Sequence, residues 1–161
     1  MTMQYDVKSY HNTESGVAFA SRTRLKGVLI SPSTSVTFNI AICDNVTSTG
    51  TYDVPGTTTC TVTIANHGLS NGDRVYLNFT SGTAQDNTYT VANVATNTFT
   101  VTVASATTSG NVTMYAEILA EFDCSSGTAF YTLIPGEGIL ASTGIYVGLP
   151  SADVTSTIFY G

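Results

Sequence analysis

Residues 59–79 read TCTVTIANHGLSNGDRVYLNF, and this stretch decides the class of the fold. Polar and apolar side chains alternate from Thr59 to Ile64 and again from Arg74 to Phe79, with the period of two that is typical of a half-buried strand. Between these runs lie Asn66-His67-Gly68 and Asn71-Gly72-Asp73, which are signals of tight turns between strands. The stretch therefore predicts two strands joined by a compact connection.

The same alternation recurs along the chain, in short runs separated by Gly, Asn, Asp and Ser. No segment of helical length carries apolar residues at the i, i+3, i+4, i+7 spacing of an amphipathic helix. The sequence therefore predicts an all-β fold. The candidate strands are 24–31, 35–43, 59–65, 74–79, 88–94, 98–103, 111–116, 118–123, 129–134, 144–149 and 155–160.

The composition changes in the middle of the chain, where threonine and valine alternate and charge nearly disappears. The charged residues within 57–114 are Asp73, Arg74 and Asp86. Turn signals at Val54-Pro55-Gly56 and Ser109-Gly110 lie near the two ends of this block. We predict that 57–114 form a small β-module inserted in a hairpin loop of an outer domain. The outer domain comprises 1–56 and 115–161, and we expect a small antiparallel, jelly-roll-like β-sandwich.

Charge and hydropathy exclude several classes of protein. Of 161 residues 10% are charged, five are Lys or Arg, and the formal net charge is -6. Nucleic-acid binders need clustered basic side chains for phosphate contacts, so we predict no nucleic-acid partner. No apolar run approaches the roughly 20 residues of a membrane span. The chain also begins without the pattern of a secretion signal, so we expect a soluble protein made in the cytoplasm.

The residues that commonly hold metals and cofactors are sparse. Cys43, Cys60 and Cys124 are widely spaced, and they form neither a C-x-x-C pair nor a zinc pattern with histidine. We expect them to be small, buried apolar residues. Glycine-rich phosphate loops are also missing, so the sequence predicts neither a metal nor a cofactor.

Candidate catalytic residues are few and isolated. A nucleophile needs a neighbouring base, and the histidines of the chain are His11 and His67. His67 stands beside Gly68 in a predicted turn, and His11 lies in a polar segment. We therefore predict that the protein is not an enzyme.

An acidic group and a basic group stand out on predicted strands. Glu117, Glu121 and Asp123 can share one face of a strand, but the ligand spacing of a calcium loop is absent, so we expect a solvated surface. Arg22, Arg24 and Lys26 alternate and so form a basic stripe. This stripe either contacts an acidic partner or protects a strand edge against unwanted pairing.

Two sets of residues resemble proteins of bacteriophages. Residues 65–79, with TYTV at 88–91 and NTFTV at 97–101, resemble a small β-module found within structural proteins of tailed phages. Three further stretches resemble short β-rich proteins of phages that infect marine bacteria and cyanobacteria, relatives that lack the inserted block. These stretches are 22–28, 133–140 and 154–161. The resemblance implies a virion component and supplies no catalytic residues.

From this resemblance we expect a capsid decoration protein, located in the virion, that binds the major capsid protein as a symmetric oligomer. The basic stripe is then the polar rim of the contact, and the chain end Ile158-Phe159-Tyr160 is a packing strand or a subunit contact. The alternatives are a neck, tail or fibre component, or a module that binds a host-surface carbohydrate. For carbohydrate binding the candidate aromatic platform is Tyr76, Tyr89 and Phe99.

Overall fold

The computed structural model describes residues 7–33, 38–124, 128–149 and 153–161. All regular secondary structure in these ranges is strand, which makes up 66% of the described residues. In chain order the strands are β1 (Lys8–Asn12), β2 (Gly16–Phe19), β3 (Thr23–Pro32), β4 (Phe38–Asp44), β5 (Thr47–Thr63), β6 (Arg74–Phe79), β7 (Asn87–Thr90), β8 (Thr98–Tyr115), β9 (Ile118–Cys124), β10 (Phe130–Leu133), β11 (Ile139–Ala141), β12 (Ile145–Gly148) and β13 (Val154–Tyr160). The prediction of an all-β fold is confirmed.

No helix in the described ranges is long and apolar enough to cross a membrane. The candidate strand 35–43 falls partly outside those ranges.

The chain divides into two compact units. Unit 1 combines the residues up to Asn45 with those from Leu119 onward, and unit 2 is Val46–Ile118. Unit 2 is thus inserted between β4 and β9, which are neighbours in one sheet. Its bounds are wider than the predicted 57–114, because the pairing of β5 with β8 already begins at Thr47 and Tyr115.

Unit 1 is a two-sheet antiparallel sandwich. The first sheet has the order β1-β13-β3-β10, with β11 also paired to β3, and the second has the order β2-β12-β4-β9. Strands that follow one another in the chain mostly belong to different sheets, and the resulting order is that of a jelly roll built from two Greek keys. The jelly-roll-like sandwich expected from the sequence is therefore observed.

The core of unit 1 lies between these sheets and follows from strand alternation. On β13, Val154, Ser156, Ile158 and Tyr160 are buried, while the residues that alternate with them are partly exposed. The three apolar side chains of this set join those of Ile30 on β3 and Ile42 on β4 in one apolar cluster. Alternation assigns one face of each strand to this core and leaves the other face for different contacts.

Unit 2 is a four-stranded sheet of order β5-β8-β6-β7. Its long strands β5 and β8 pair along their whole length, with irregular register between Pro55 and Thr59. Gly56 has a positive φ of 78° at this irregularity. Gly50, near the start of β5, lies against the carbonyl oxygen of Thr63 at its end, so β5 folds back upon itself. Residues from both halves of β5 and β8 then share one apolar core.

Several strands differ from the sequence-based expectation. β1, β2 and β11 were not predicted, and two predicted strands, 98–103 and 111–116, are parts of the continuous strand β8. The sequence predicts a turn at Ser109-Gly110, but Gly110 pairs with Tyr52 within the ladder. A Cβ at this position would overlap Ser81, so the glycine allows a close approach and does not end the strand.

Asp44 ties the end of β4 to the turn between β11 and β12. Its buried carboxylate accepts hydrogen bonds from the amide nitrogens of Ser142, at 2.6 Å, and Thr143, at 2.9 Å, and from the Thr143 hydroxyl, at 2.5 Å. Burial by itself raises the pKa of Asp44. The hydrogen bonds from Thr143, Ser142 and Asn45 outweigh it, so the pKa lies below its usual range.

Replacing this carboxylate should destabilise unit 1 and change its response to acid. In Asp44→Asn the side-chain NH2 group faces backbone N–H donors that the carboxylate had accepted. We expect the free energy of unfolding to fall by about 2–3 kcal/mol at neutral pH. Because the folded pKa lies below the unfolded value of about 3.9, the carboxylate stabilises the fold above that value, and this is lost as pH falls through the folded pKa. Urea unfolding between neutral and acidic pH measures both effects.

The exposed Glu14 of the same unit provides the control Glu14→Gln, which should unfold as the unchanged protein does. An acid dependence of stability that is equally steep with and without the Asp44 carboxylate would contradict the assignment.

The folding back of β5 can be tested at Gly50. In Gly50→Ala the new methyl group overlaps the carbonyl oxygen of Thr63, a backbone atom that cannot move without disturbing the strand. We therefore expect the free energy of unfolding to fall by at least about 2 kcal/mol. Gly16→Ala is the control, because a Cβ there meets nothing within 4 Å. Thermal unfolding monitored by circular dichroism compares them, and equal stability of the two variants would refute the close contact.

Candidate functional site

The outer face of the first sheet of unit 1 carries exposed apolar side chains. We name Leu29, Tyr131, Leu133 and Phe159 the apolar strip. Each alternates with residues that contribute to the core, so the strip faces away from it. Leu133 is 65% exposed and Tyr131 is 53% exposed, while Leu29 and Phe159 are half-buried. Large apolar side chains grouped at this level of exposure are typical of an interaction surface.

Strand register explains how the strip comes together. Leu133 on β10 and Phe159 on β13 are both partners of Gly27 on the strand between them, β3. Because Gly27 has no side chain, Leu133 lies over it, and a Cβ there would meet the Leu133 methyl at 3.4 Å. The rings of Tyr131 and Phe159 meet across β3 edge to face, with centroids 5.7 Å apart. The strip is therefore a packed surface.

The predicted basic stripe lies on and beside β3. Arg22 precedes the strand and is exposed, Arg24 lies within it, and Lys26 is 8% exposed. β3 pairs with β13 on one side and with β10 and β11 on the other, so it is not an edge. The alternative of edge protection is therefore wrong.

Two of the three basic side chains bind a turn of their own unit. The Lys26 ammonium donates to the Glu137 carbonyl oxygen at 2.7 Å. Arg24 donates to the Gly138 carbonyl oxygen at 3.3 Å, and its guanidinium lies 3.3 Å from the Glu137 carboxylate. Register shifts by one residue between Phe159 and Tyr160, so Lys26 is the extra residue of a β-bulge. Lys26 is thus buried and held within its own unit, and partner contact stays a prediction for the exposed Arg22 and the partly exposed Arg24.

The chain end is divided between the core and the surface. Ile158 and Tyr160 are buried in the core of unit 1, which matches the expectation of a packing strand. Phe159 belongs to the apolar strip and is the member of this group that can contact a partner.

The acidic residues do not all share one face. The Asn39 side-chain amide donates to Glu121 at 2.6 Å and to Asp123 at 2.7 Å, which holds these two carboxylates together on β9. Glu117 lies between β8 and β9 and is exposed. In the part of the chain that the structure describes, no three His, Cys, Asp or Glu side chains form a group fit for a metal ion.

The histidines have separate surroundings. His11 Nδ1 lies 3.0 Å from the Thr157 hydroxyl at the edge of the first sheet of unit 1. His67, in unit 2, accepts the Leu69 amide N–H at Nδ1 over 3.1 Å, and its ring packs edge to face on Phe99 with centroids 5.1 Å apart. His67 therefore fixes a turn.

The two cysteines whose side chains the structure describes are buried and free. Burial raises the pKa of the Cys43 thiol, with a further contribution from Glu121, and raises that of Cys60 to about 11, with a contribution from Asp53. Both thiols stay protonated near neutral pH and are poor nucleophiles. The expectation of buried apolar residues is confirmed for this pair, and the Cys124 side chain lies outside the described part.

The aromatic residues proposed as a carbohydrate platform are packed in unit 2. Phe99 is fully buried, Tyr76 is 2% exposed, and Tyr89 is half-buried. The Tyr89 hydroxyl donates to the Gln85 carbonyl oxygen at 2.6 Å, and burial raises its pKa to about 12. Tyr89 and Phe99 belong to the core of unit 2, and Tyr76 is buried although its neighbours Val75 and Leu77 are the β6 residues that face this core, so the three rings do not form an exposed platform.

Unit 2 has an open groove at one end of its sheet, with a volume of about 570 Å³. Two connections form it, one between β5 and β6 and the other between β7 and β8. Its lining residues are Asn66, His67, Gly68, Leu69, Val94, Ala95 and Thr96. The turn residues of the first connection are evident in the sequence, but the second connection faces it only in the folded unit.

Comparison with known proteins gives little further information. No family model matches the chain, and no curated protein is significantly similar to it. Among solved structures, the Phage phi92 endosialidase is similar at 22% sequence identity and a TM-score of 0.35. The likeness covers 80% of this chain and 20% of that chain, so the chain spans about a fifth of that protein's length. At this TM-score the likeness carries no argument about family or function.

The different surroundings of Lys26 and Arg22 can be tested by a matched pair of substitutions. Lys26→Met keeps the apolar stem but removes the hydrogen bond to the Glu137 carbonyl. We expect the free energy of unfolding to fall by about 1.5–3 kcal/mol and the amide protons of the turn at 135–138 to exchange faster. Arg22→Met changes an exposed side chain and should leave both quantities nearly unchanged. Hydrogen exchange measured by NMR distinguishes them, and indistinguishable exchange in the two variants would contradict the assignment.

Proposed function

We propose that this protein is a structural, protein-binding component of a tailed-bacteriophage particle, and that it decorates the capsid by attaching to the major capsid protein through the apolar strip. The observation that carries the proposal is the strip itself. Two large apolar side chains of the edge strand β10, Leu133 and Tyr131, are more than half exposed, in a chain of which 10% is charged. A surface with an aromatic and aliphatic centre and few charges is typical of the core of a protein–protein interface.

The surroundings of the strip support this role. Arg24 and the half-exposed Leu140 are cross-strand partners at one end of the same face, with the exposed Arg22 nearby. An apolar centre with polar and charged groups around it is the usual arrangement of residues in an interface. The exposed Arg22 and the partly exposed Arg24 then contribute to the rate and salt dependence of binding more than to affinity.

The phage assignment is supported by the sequence resemblance. Residues 65–79, 88–91 and 97–101 resemble a module of tailed-phage structural proteins, and parts of unit 1 resemble short β-rich phage proteins. On this proposal the chain is made in the host cytoplasm, is incorporated into the virion as a homo-oligomer, and acts by binding without catalysis. A place in the neck, tail or fibre is the alternative within the same class.

Attachment through the strip predicts a selective loss of particle binding. Tyr131→Ser combined with Leu133→Ser removes the two most exposed side chains of the apolar strip. Because both side chains are more than half exposed, the fold should lose little stability. We expect binding to particles assembled without this protein to weaken more than tenfold, as for central interface residues. Co-sedimentation of the purified chain with such particles measures the affinity.

Val17→Ser is the matched control, because Val17 is a 41% exposed apolar residue of β2, in the other sheet of the same unit. Its binding should stay within about twofold of the unchanged protein. If the double variant binds particles as well as the control does, attachment does not use the strip.

A further inference from the structure

The groove of unit 2 is held open by hydrogen bonds from its own turns. The Asn97 side chain accepts the Asn66 amide N–H at 3.0 Å, and the Asn71 side chain accepts the Val94 amide N–H at 3.0 Å. Within the first connection, Asp73 accepts the Ser70 amide N–H at 2.8 Å. Both walls are thus fixed before any ligand arrives, which lowers the entropic cost of binding.

His67 contributes a rigid wall to the groove. Its Nδ1 is occupied by the Leu69 amide N–H, and its ring rests against the buried Phe99. The imidazole ring of His67 is therefore held in one orientation beside the groove. Asn66 is also held in a left-handed backbone conformation, with φ of 50°, and its exposed side chain stands at the rim.

The lining of the groove has no charge. It contains no Asp, Glu, Lys or Arg, and its polar side-chain groups open to a ligand are the amide of Asn66 and the hydroxyl of Thr96, whereas Nε2 of His67 is buried. Leu69 and Val94 add half-buried apolar surface between these polar groups. Such a lining favours an uncharged ligand that combines hydrogen-bonding groups with apolar faces.

From this chemistry we infer that the groove binds a neutral sugar residue of a glycan. A pyranose ring has hydroxyl groups around its rim and apolar C–H faces, which matches neutral polar side chains beside Leu69 and Val94. The volume of about 570 Å³ lies within the range of roughly 300–1,000 Å³ that small-molecule sites occupy. An anionic sugar or a phosphate has no basic side chain to meet in this lining.

The groove lies within unit 2, so sugar binding there does not depend on the attachment proposed for unit 1. Loss of one property leaves the other measurable, because the residues of the groove and those of the apolar strip belong to different compact units.

NMR titration of the full chain tests the inference directly. Glucose, galactose, mannose and N-acetylglucosamine are added separately to millimolar concentrations, and N-acetylneuraminic acid serves as the charged comparison. We expect at least one neutral sugar to shift the amide signals of Asn66–Leu69 and Val94–Thr96, and the charged sugar to shift none of them. If no neutral sugar shifts these signals, or if the shifts lie outside the groove, the inference is wrong.

Two substitutions then link binding to the rim. Asn66→Gly removes the amide while keeping the left-handed backbone, and Thr96→Val removes the hydroxyl while keeping the shape of the side chain. Each should raise the apparent Kd about threefold to tenfold, which corresponds to the loss of one net hydrogen bond. Thr61→Val, an exposed threonine of β5 outside the lining, is the control and should leave the Kd unchanged.

An unchanged Kd in both rim variants overturns the sugar site. So does a result in which the rim variants lose particle binding and no sugar shifts the groove, because the groove is then part of a protein interface.

Discussion

The pairing of β5 with β8 is the constraint on which both units depend. In unit 1, β4 and β9 are neighbours in one sheet, so the residues that follow β4 and precede β9 must lie close together. Thr47 and Tyr115 form the first pair of the β5–β8 ladder, so the two ends of the inserted unit lie next to each other. The same ladder, folded back where Gly50 meets Thr63, encloses the core of unit 2. An insertion closed in this way adds a second core without separating the strands that flank it.

Alternation of side chains made much of the fold predictable. The strands at 74–79 and 155–160 follow directly from it, and so does the all-β class. β1 was missed because Lys8–Asn12 belongs to an exposed edge and carries no apolar period. Gly110 was misread for a different reason, since a glycine that ends a strand and one that permits a close contact look alike in sequence. Which meaning applies depends on Ser81, a distant residue that only the folded unit brings near.

The candidate surfaces were less predictable, because they depend on register between distant strands. The apolar strip joins β3, β10 and β13, and its packing over Gly27 requires the pairing of Leu133 and Phe159 with that residue. A signal was present, since the sequence FYTL at 130–133 offers apolar side chains on both faces of one strand. The basic stripe was recognised as a pattern, but the bulge at Lys26 and the turn that binds it are invisible without the structure. The buried state of Phe99 and Tyr76 likewise moves the candidate sugar site from an aromatic platform to a groove.

The two proposals give the two units different tasks. Unit 1 is a jelly roll with an apolar outer surface, which is suited to attachment, and unit 2 displays a neutral groove fixed by its own turns. We propose attachment to a phage capsid, and a cryo-EM map of the particle that contains this chain distinguishes this location from the others. If the jelly roll attaches to the capsid, its density repeats over the icosahedral shell, with Leu133 and Phe159 against the major capsid protein. Density confined to the neck, tail or fibres, or absent from the particle, would exclude attachment to the capsid.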